Sequence, residues 1–191
     1  MAEAIDVHTH IFAPGWPDFA ARFGGDRWPR LEGDPATGCK LYLGATFNRS
    51  LTPHAFDPAR RIEDMDRTGV AVQLLSPAPP TFCYWAPPDA AAEWHRMQND
   101  VIAEIVARHP RRFLGAGGLP LQAPDLAVKE LERVVTTLRF PAVEVAATSM
   151  GVISTTGACT RCGGPRRPWA WPCSSTPRRR SSGTRASAGT T

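Results

Sequence analysis

The chain has 191 residues, 42% hydrophobic and 21% charged, a composition typical of one globular domain with a substantial core. No segment approaches the length of a membrane span, and Glu3, Asp6 and His8 interrupt the apolar N-terminus, which argues against a signal peptide. Five cysteines without framework spacing are typical of a reducing compartment, so we expect a cytoplasmic location and no membrane partner.

Charge divides the chain into two unlike segments. Residues 151–191 contain seven arginines and no Asp, Glu or Lys. The other 15 basic residues stand against 18 acidic ones, so residues 1–150 carry a net charge of −3. Nucleic-acid binding would depend on the tail alone, and we do not expect a nucleic-acid partner for the body of the protein.

The body alternates between predicted strands and helices. The stretch "AIDVH" at 4–8 is predicted to be a buried strand, apolar on both faces as in parallel sheets. Asp57 fits the N-cap and Pro58 the first position of a helix that ends at Gly69. A second buried strand, "VAVQLLS" at 70–76, follows directly.

The same alternation continues toward the C-terminus. A long helix is predicted from Pro88, with apolar residues at spacings of three and four, and it ends before Pro110. The stretch "RFLGAGGLP" at 112–120 is the third predicted strand. A third helix begins at Pro124, and "AVEVAA" at 142–147 is the fourth strand.

Four strands joined by helical crossovers predict an α/β fold with a parallel sheet. An open doubly wound sheet and part of an eight-stranded barrel both fit this order. No glycine-rich phosphate loop follows the first strand, which weakens the nucleotide-binding alternative. A barrel needs about 250 residues, so four strands in about 150 residues would make half of one, and both architectures remain open at this point.

One connection is unusually long for a compact domain. Residues 12–56 separate the first strand from the first predicted helix, and loops of this length are commonly functional or disordered. Disorder is disfavoured by four aromatic residues, Trp16, Trp28, Tyr42 and Phe47. The stretch "KLYLGATFNRSL" is predicted to form a hairpin around Gly44. In a barrel this loop lies on the face that carries the chemistry.

Two histidines close the first strand in the stretch "AIDVHTHIF". Alternate side chains of a strand point the same way, so Asp6, His8 and His10 are expected to share one face. Two neutral imidazoles can bind one ion at about 2.0–2.1 Å, and Asp6 is placed to orient a ligand from behind. Two ordinary, partly buried histidines are the alternative interpretation.

Five stretches together resemble the amidohydrolase superfamily. They are "IDVHTHIFAPGWPDF", "FDPARRIEDMDRTGVAVQLLS", "YWAPPDAA", "NDVIAEIVARHPRRFLGAGGLPLQAPDLAVKELERV" and "PAVEVAAT". They lie in the order and spacing of the aminocarboxymuconate-semialdehyde decarboxylase-like branch and run from about residue 4 to 149. The resemblance is specific for the family and much less so for the substrate.

The resemblance implies a TIM-like (β/α)8 barrel, so we predict that residues 1–150 form its N-terminal half, followed by an irregular tail. It also implies a divalent ion, most often Zn²⁺, at the carboxyl ends of the strands. The ligands of the family's first strand match His8 and His10. Such enzymes decarboxylate or hydrolyse small, often aromatic, carboxylic acids with a water activated by the ion. An arginine of the long loop commonly binds the substrate carboxylate, and Arg49 is the nearest match. A solvated loop arginine is the alternative for Arg49.

The resemblance fails where the family takes its later ligands. No histidine follows His109 and no acidic residue follows Glu144, so the third histidine ligand, the catalytic histidine and the metal-binding aspartate have no counterpart. Two ligands are fewer than the three of an ordinary catalytic zinc site. The remaining candidates for metal ligands are weaker. They are His54 in the long loop, His95 within a helix, His109 at a helix C-terminus and Glu144 on the fourth strand. Cys159 and Cys162 form a C-x-x-C pair, but only the single Cys173 follows, so a second pair is missing.

The tail allows three interpretations: a disordered basic extension, a divergent C-terminus, or an out-of-frame translation of a GC-rich gene. Arginine without lysine and the loss of all acidic residues favour the third. We therefore predict a metal-dependent decarboxylase of a small unsaturated or aromatic carboxylic acid, inactive or nearly so as this chain. A hydrolase of an ester, lactone or amide on the same scaffold, and a non-catalytic fragment with a nucleic-acid-binding tail, are the alternatives. Half a barrel leaves sheet edges uncovered, so a homodimer is a compatible assembly.

Overall fold

The computed structural model describes residues 4–146 and, after them, the backbone of Thr148–Ser149 and Val152–Ile153. The predictions for Cys159, Cys162, Cys173 and the rest of the arginine-rich tail lie outside the described residues. In chain order the elements are β1 (Ala4–Ile11), α1 (Phe19–Phe23), β2 (Pro29–Asp34), β3 (Gly38–Leu43), β4 (Thr46–Leu51), α2 (Pro58–Thr68), β5 (Val70–Pro77), α3 (Pro88–Arg108), β6 (Phe113–Gly118), α4 (Pro124–Thr136), β7 (Ala142–Glu144), β8 (Thr148–Ser149) and β9 (Val152–Ile153).

The main sheet has four strands in the order β1-β5-β6-β7, and all three pairings are parallel. Helices α2, α3 and α4 are the crossovers between successive strands, as parallel pairing requires. This is the predicted α/β half-barrel. The strands β8 and β9 form a separate antiparallel pair.

Helix α2 begins and ends at the predicted residues. The Asp57 carboxylate accepts a hydrogen bond from the backbone N–H of Ala59 at 2.8 Å, which satisfies one of the free donors of the first turn. Gly69 ends the helix in the left-handed region with φ of 74°. Helix α3 likewise ends at Arg108, before Pro110, as predicted.

One apolar core lies between the helices and one face of the main sheet, which we call the helix face. Leu75 of β5 and Phe113 of β6 have no exposed surface and belong to this core. Each helix contributes residues to it, namely Met65, Ile102, Ile105 and Val134. Burial of these side chains is what holds the crossovers against the strands.

The opposite, concave face departs from the prediction that the first strand is buried on both faces. Ile5 is aligned with Val72 and Leu74 with Leu114, so these apolar side chains lie on the side away from the helices. Ile5 is 58% exposed and Leu114 is 38% exposed. The four described strands enclose only part of a barrel, and this face is open at Ile5 and Leu114.

The long loop contains more structure than the predicted hairpin. Strands β3 and β4 do form that hairpin around Gly44, whose φ of 61° and close approach to the Asp26 carbonyl exclude a side chain. Strand β2 adds a third antiparallel strand, and α1 precedes it. Leu41 of β3 packs with Phe12 and Ala78, which places this small sheet over the carboxyl ends of β1 and β5.

Two strands are shorter than predicted. Strand β6 spans Phe113–Gly118 rather than 112–120. At its last residue the Asn99 side chain accepts a hydrogen bond from the Gly118 N–H at 2.8 Å and donates one to the Gly118 carbonyl at 3.0 Å. Strand β7 spans Ala142–Glu144, where the prediction extended to residue 147. Within the described residues, no helix is both long and apolar enough to span a membrane.

Replacing Leu75 by Ala is expected to destabilise the fold by about 2–5 kcal/mol, because it opens a cavity in the helix-face core. The same change at Leu114, on the concave face of the neighbouring strand, is expected to cost far less because that side chain is already 38% exposed. Urea unfolding of both variants measures the difference. Equal losses would contradict the assignment of the two faces.

Candidate metal centre

Three polar side chains meet on the concave face at the carboxyl ends of the main strands. The Nδ1 atom of His10 on β1 lies 3.0 Å from the hydroxyl of Ser76 on β5 and 3.6 Å from a carboxylate oxygen of Glu144 on β7. Two strands separate β1 from β7, and flat strands would stand about 14 Å apart at the usual spacing. Contact across that distance is favoured by curvature of the sheet toward this face, as in a barrel wall.

His8 and His10 lie together at this edge of β1. Their ring centroids are 5.0 Å apart and the ring planes are inclined by 75°. His8 is exposed, whereas His10 is half-buried. The two imidazoles therefore share one side of the strand end, as their spacing predicted.

Asp6 does not share that side, contrary to the prediction. Asp6 is aligned with Gln73 and Thr9 with Leu75, so the register shifts and three residues of β1 span two of β5. Asp6 thus points to the helix face, where its carboxylate accepts a hydrogen bond from the Gln73 amide at 3.5 Å. Its other contact is the backbone N–H of His8, at 3.2 Å.

The histidine pair fits two positions of a metal site. With nitrogen–metal bonds of about 2.0–2.1 Å and a tetrahedral angle, two imidazole centroids stand roughly 5 Å apart. The 5.0 Å separation of His8 and His10 matches that value. Within residues 4–146, however, no group of three or more His, Cys, Asp or Glu side chains is close enough together to hold an ion.

The surroundings of His10 favour its neutral form. Burial lowers the pKa of the His10 imidazole most, and the charges of His8 and Arg61 lower it further. The Glu144 carboxylate and a hydrogen bond to the Pro77 carbonyl partly offset this. A neutral imidazole is the form that binds a metal ion.

Arg61 of α2 fixes the backbone at this point, a role that sequence reasoning did not identify. Its guanidinium donates to the carbonyl oxygens of His10 and His54, the latter at 2.7 Å, and to the Gln73 side chain at 3.4 Å. Burial lowers the pKa of Arg61, and the nearby Asp6 carboxylate opposes that shift. Arg61 therefore ties the end of β1 to the first crossover helix.

Tyr84 stands beside Glu144 and was also missed. Its hydroxyl oxygen accepts a hydrogen bond from the backbone N–H of Ala146 at 3.4 Å. Burial raises the pKa of Tyr84, the Ala146 hydrogen bond lowers it, and the Glu144 carboxylate raises it. The phenol therefore remains neutral and carries its proton next to the carboxylate.

The side chains of the two loop candidates, Arg49 and His54, contact residues other than His8 and His10. Arg49 is exposed on β4, where it is aligned with Leu41, so it lies on the sheet face that packs over the strand ends. Its Nε donates to Asn48 at 3.1 Å. His54 pairs with Asp64 at 3.2 Å.

The two histidines of the long helix have structural roles. His109 caps α3, as predicted, and its ring contacts Phe113 edge to face. His95 has no exposed surface, and its Nε2 lies 2.9 Å from the Phe82 carbonyl. Among the described residues its Nδ1 has no hydrogen-bond partner, and it faces Gly118 so closely that an added Cβ there would come within 2.6 Å.

Residues 5–158 match the family model described as Amidohydrolase. The chain belongs to the amidohydrolase family. The matched segment confirms the resemblance inferred from the motifs and extends eight residues beyond the boundary at 150 that the change in composition predicted.

Relatives of the chain are decarboxylases by name. It is 34% identical over 141 residues to 2-amino-3-carboxymuconate-6-semialdehyde decarboxylase of Dictyostelium discoideum. The aligned region covers 74% of this chain and 39% of that protein. It is 43% identical over 81 residues to gamma-resorcylate decarboxylase of Polaromonas sp., covering 42% and 25%. The chain thus spans about two-fifths of the first relative and a quarter of the second.

A solved structure extends the likeness to the fold. Dihydroxybenzoic acid decarboxylase from Polaromonas sp. JS666, with bound manganese and the inhibitor 2-nitroresorcinol, superimposes with a TM-score of 0.51 and 27% identity. The match covers 75% of this chain and 38% of that one. The predicted Zn²⁺ is not confirmed, because the ion in this neighbour is manganese.

Acid is expected to destabilise the protein through His95. Burial lowers its pKa to about 4, whereas an unfolded histidine titrates near 6.5. Between these values the unfolded chain binds a proton that the folded chain does not, so stability falls as pH drops. The loss from this group is about 2 kcal/mol between pH 7 and pH 5.

Urea unfolding at the two pH values, compared between wild type and His95→Gln, measures this contribution. His109→Gln is the matched control and should keep the wild-type pH dependence, since His109 is not buried. An unchanged slope in His95→Gln would show that His95 is not the titrating group.

Proposed function

We propose that this chain forms the first-strand half of a metal-dependent decarboxylase site for a small aromatic or unsaturated carboxylic acid. The observation that supports the proposal most directly is the pairing of His8 and His10, whose ring centroids are 5.0 Å apart, on the concave face of an amidohydrolase half-barrel. Membership of the family, and relatives named as decarboxylases, support the reaction type.

The proposed roles follow from the chemistry of the side chains. His8 and His10 would hold a divalent ion, Zn²⁺ or Mn²⁺, whose contribution when bound is Lewis acidity toward an oxygen atom. Arg49 would bind the substrate carboxylate through its planar guanidinium, from the small sheet over the strand ends. Glu144 lies beside His10 as a carboxylate able to accept a hydrogen bond, and Tyr84 lies near Glu144 as a neutral phenol able to donate one.

A hydrolase of an ester, lactone or amide is the rival on this scaffold. Decarboxylation releases carbon dioxide and leaves a proton on the carbon, whereas hydrolysis adds the elements of water across the cleaved bond. Product analysis in ¹⁸O-labelled water separates the two reactions. We expect little turnover from this chain alone, because its sequence has no histidine after His109 and no acidic residue after Glu144 to complete the ligand set.

Metal binding is expected to depend on the histidine pair. In the double variant His8→Ala, His10→Ala, the amount of Mn²⁺ bound in equilibrium dialysis should fall by about one equivalent per chain, because both imidazole ligands are removed. Mn²⁺ is the probe because thiolates such as those of Cys159 and Cys162 prefer softer ions, which reduces their interference.

The control is the double variant His54→Ala, His109→Ala, which removes the same number of imidazoles away from the strand end. It should retain wild-type Mn²⁺ content. Equal metal content in wild type and in the His8, His10 variant would remove the proposed site.

Binding of a small aromatic acid is expected to depend on Arg49. In the presence of Mn²⁺, Arg49→Ala should weaken gamma-resorcylate binding roughly five- to tenfold, since a charge-assisted contact to the carboxylate is lost. Resorcinol, which is the same ring without the carboxylate, should bind equally well to both proteins. Isothermal titration measures both ligands.

Arg60→Ala serves as the matched control, because Arg60 is a half-exposed arginine of α2 that pairs with Asp57. Its gamma-resorcylate affinity should equal that of wild type. If Arg49→Ala and Arg60→Ala behave alike, Arg49 is a solvated loop arginine with no role in carboxylate binding.

A further inference from the structure

We infer that Ser76 and Glu144 are positioning residues that hold His10 in the tautomer with its proton on Nδ1. This leaves Nε2 of His10 with the lone pair that a divalent ion requires. The part of the inference that concerns the metal rests on the proposed function, whereas the tautomer itself does not.

The argument begins with the single hydrogen of the Ser76 hydroxyl. Ser76 is buried, and its hydroxyl donates to the carbonyl oxygen of Thr9 at 2.9 Å. A hydroxyl has one hydrogen and two lone pairs, so toward any second partner it acts as an acceptor. The second partner is Nδ1 of His10 at 3.0 Å, which must then carry the hydrogen.

Glu144 selects the same tautomer independently. A carboxylate oxygen of Glu144 lies 3.6 Å from the same Nδ1 atom. An ionised carboxylate only accepts hydrogen bonds, so a lone pair on Nδ1 would face two acceptors at once. With the proton on Nδ1, both neighbours are favourable.

The alternative tautomer leaves a buried group without a partner. If Nδ1 were bare, the Ser76 hydrogen would have to serve either Nδ1 or the Thr9 carbonyl, and the other would lose its hydrogen bond. The Pro77 carbonyl is a further acceptor of a hydrogen bond from the His10 ring. The remaining charged neighbours are His8 and Arg61, and the Arg61 guanidinium bonds to the His10 carbonyl rather than to its ring.

The consequence is a pre-oriented ligand. Imidazoles that bind metal ions donate their other ring N–H to a neighbouring oxygen, which fixes both tautomer and ring orientation. Ser76 supplies that oxygen from β5, and the negative charge of Glu144 on β7, 3.6 Å from Nδ1, favours the same proton position, so the concave face of the half-barrel orients His10 before an ion binds.

Nitrogen-15 NMR of the full chain tests the tautomer directly. The protein is labelled with ¹⁵N-histidine, freed of metal with a chelator and studied at pH 8, where an imidazole of ordinary or lowered pKa is neutral. Long-range ¹H–¹⁵N spectra distinguish a protonated from a bare ring nitrogen, and His10→Gln assigns the signals. We expect His10 to have a protonated Nδ1 and a bare Nε2.

Three variants separate positioning from folding. Ser76→Ala should shift His10 toward a mixture of tautomers, and Ser76→Thr, which restores the hydroxyl, should return the wild-type pattern. Thr9→Val is the matched control: it removes a buried hydroxyl that donates to the Leu74 carbonyl, and it should not alter His10. The buried His95 ring, bonded to Phe82, reports in each sample that the fold is intact.

Mn²⁺ affinity provides the second readout. Ser76→Ala should weaken binding about tenfold or more, and Thr9→Val should leave it unchanged. A wild-type His10 protonated on Nε2, or a Ser76→Ala spectrum identical to wild type, would overturn the inference. If the wild-type tautomer is as expected but Mn²⁺ does not bind at His8 and His10, the proposed function fails while the assignment of Ser76 and Glu144 stands.

Discussion

The site depends on how the His10 residue is held. Its ring is in contact with Ser76 of β5 and Glu144 of β7, and its carbonyl oxygen accepts from Arg61 of α2. These groups are 51 to 134 residues away in sequence and meet only when the parallel strands assemble in a curved sheet. The paired histidines are therefore not a local motif that works alone, because the half-barrel sets the position and the protonation of one of them.

Glycines on β6 make room for the neighbouring helices. An added Cβ at Gly118 would come within 2.6 Å of Nδ1 of the buried His95 on α3, and one at Gly117 within 2.7 Å of the Val134 side chain on α4. Gly118 is aligned with Glu144 on β7. The "GAGG" run of this strand thus lets α3 and α4 pack closely against the sheet that carries Glu144.

Local periodicity, prolines and glycines in the sequence predicted the parallel strands and the three crossover helices, and the resemblance of five stretches predicted the family. The location of Asp6 was wrong, since the register shift before Thr9 arises from pairing with β5 and has no local signal. Ser76 was not identified for a related reason. A lone serine at the end of an apolar strand is common and indicates no function by itself. Ser76 acts as an acceptor toward His10 because its hydroxyl donates its hydrogen to a carbonyl oxygen on another strand. The long loop that contains Arg49 was predicted to lie on the face at the strand ends, but the hydrogen-bond partner of Arg49 could not be predicted.

The central claim is that two imidazoles at the end of β1 bind one divalent ion. Anomalous diffraction from crystals soaked in Mn²⁺, recorded on both sides of the manganese absorption edge, tests it most directly. The account predicts one peak within about 2.3 Å of a ring nitrogen of both His8 and His10, with Nε2 as the ligand atom of His10. A peak that touches only one of the rings, or manganese bound elsewhere on the chain with none at this strand end, would contradict it.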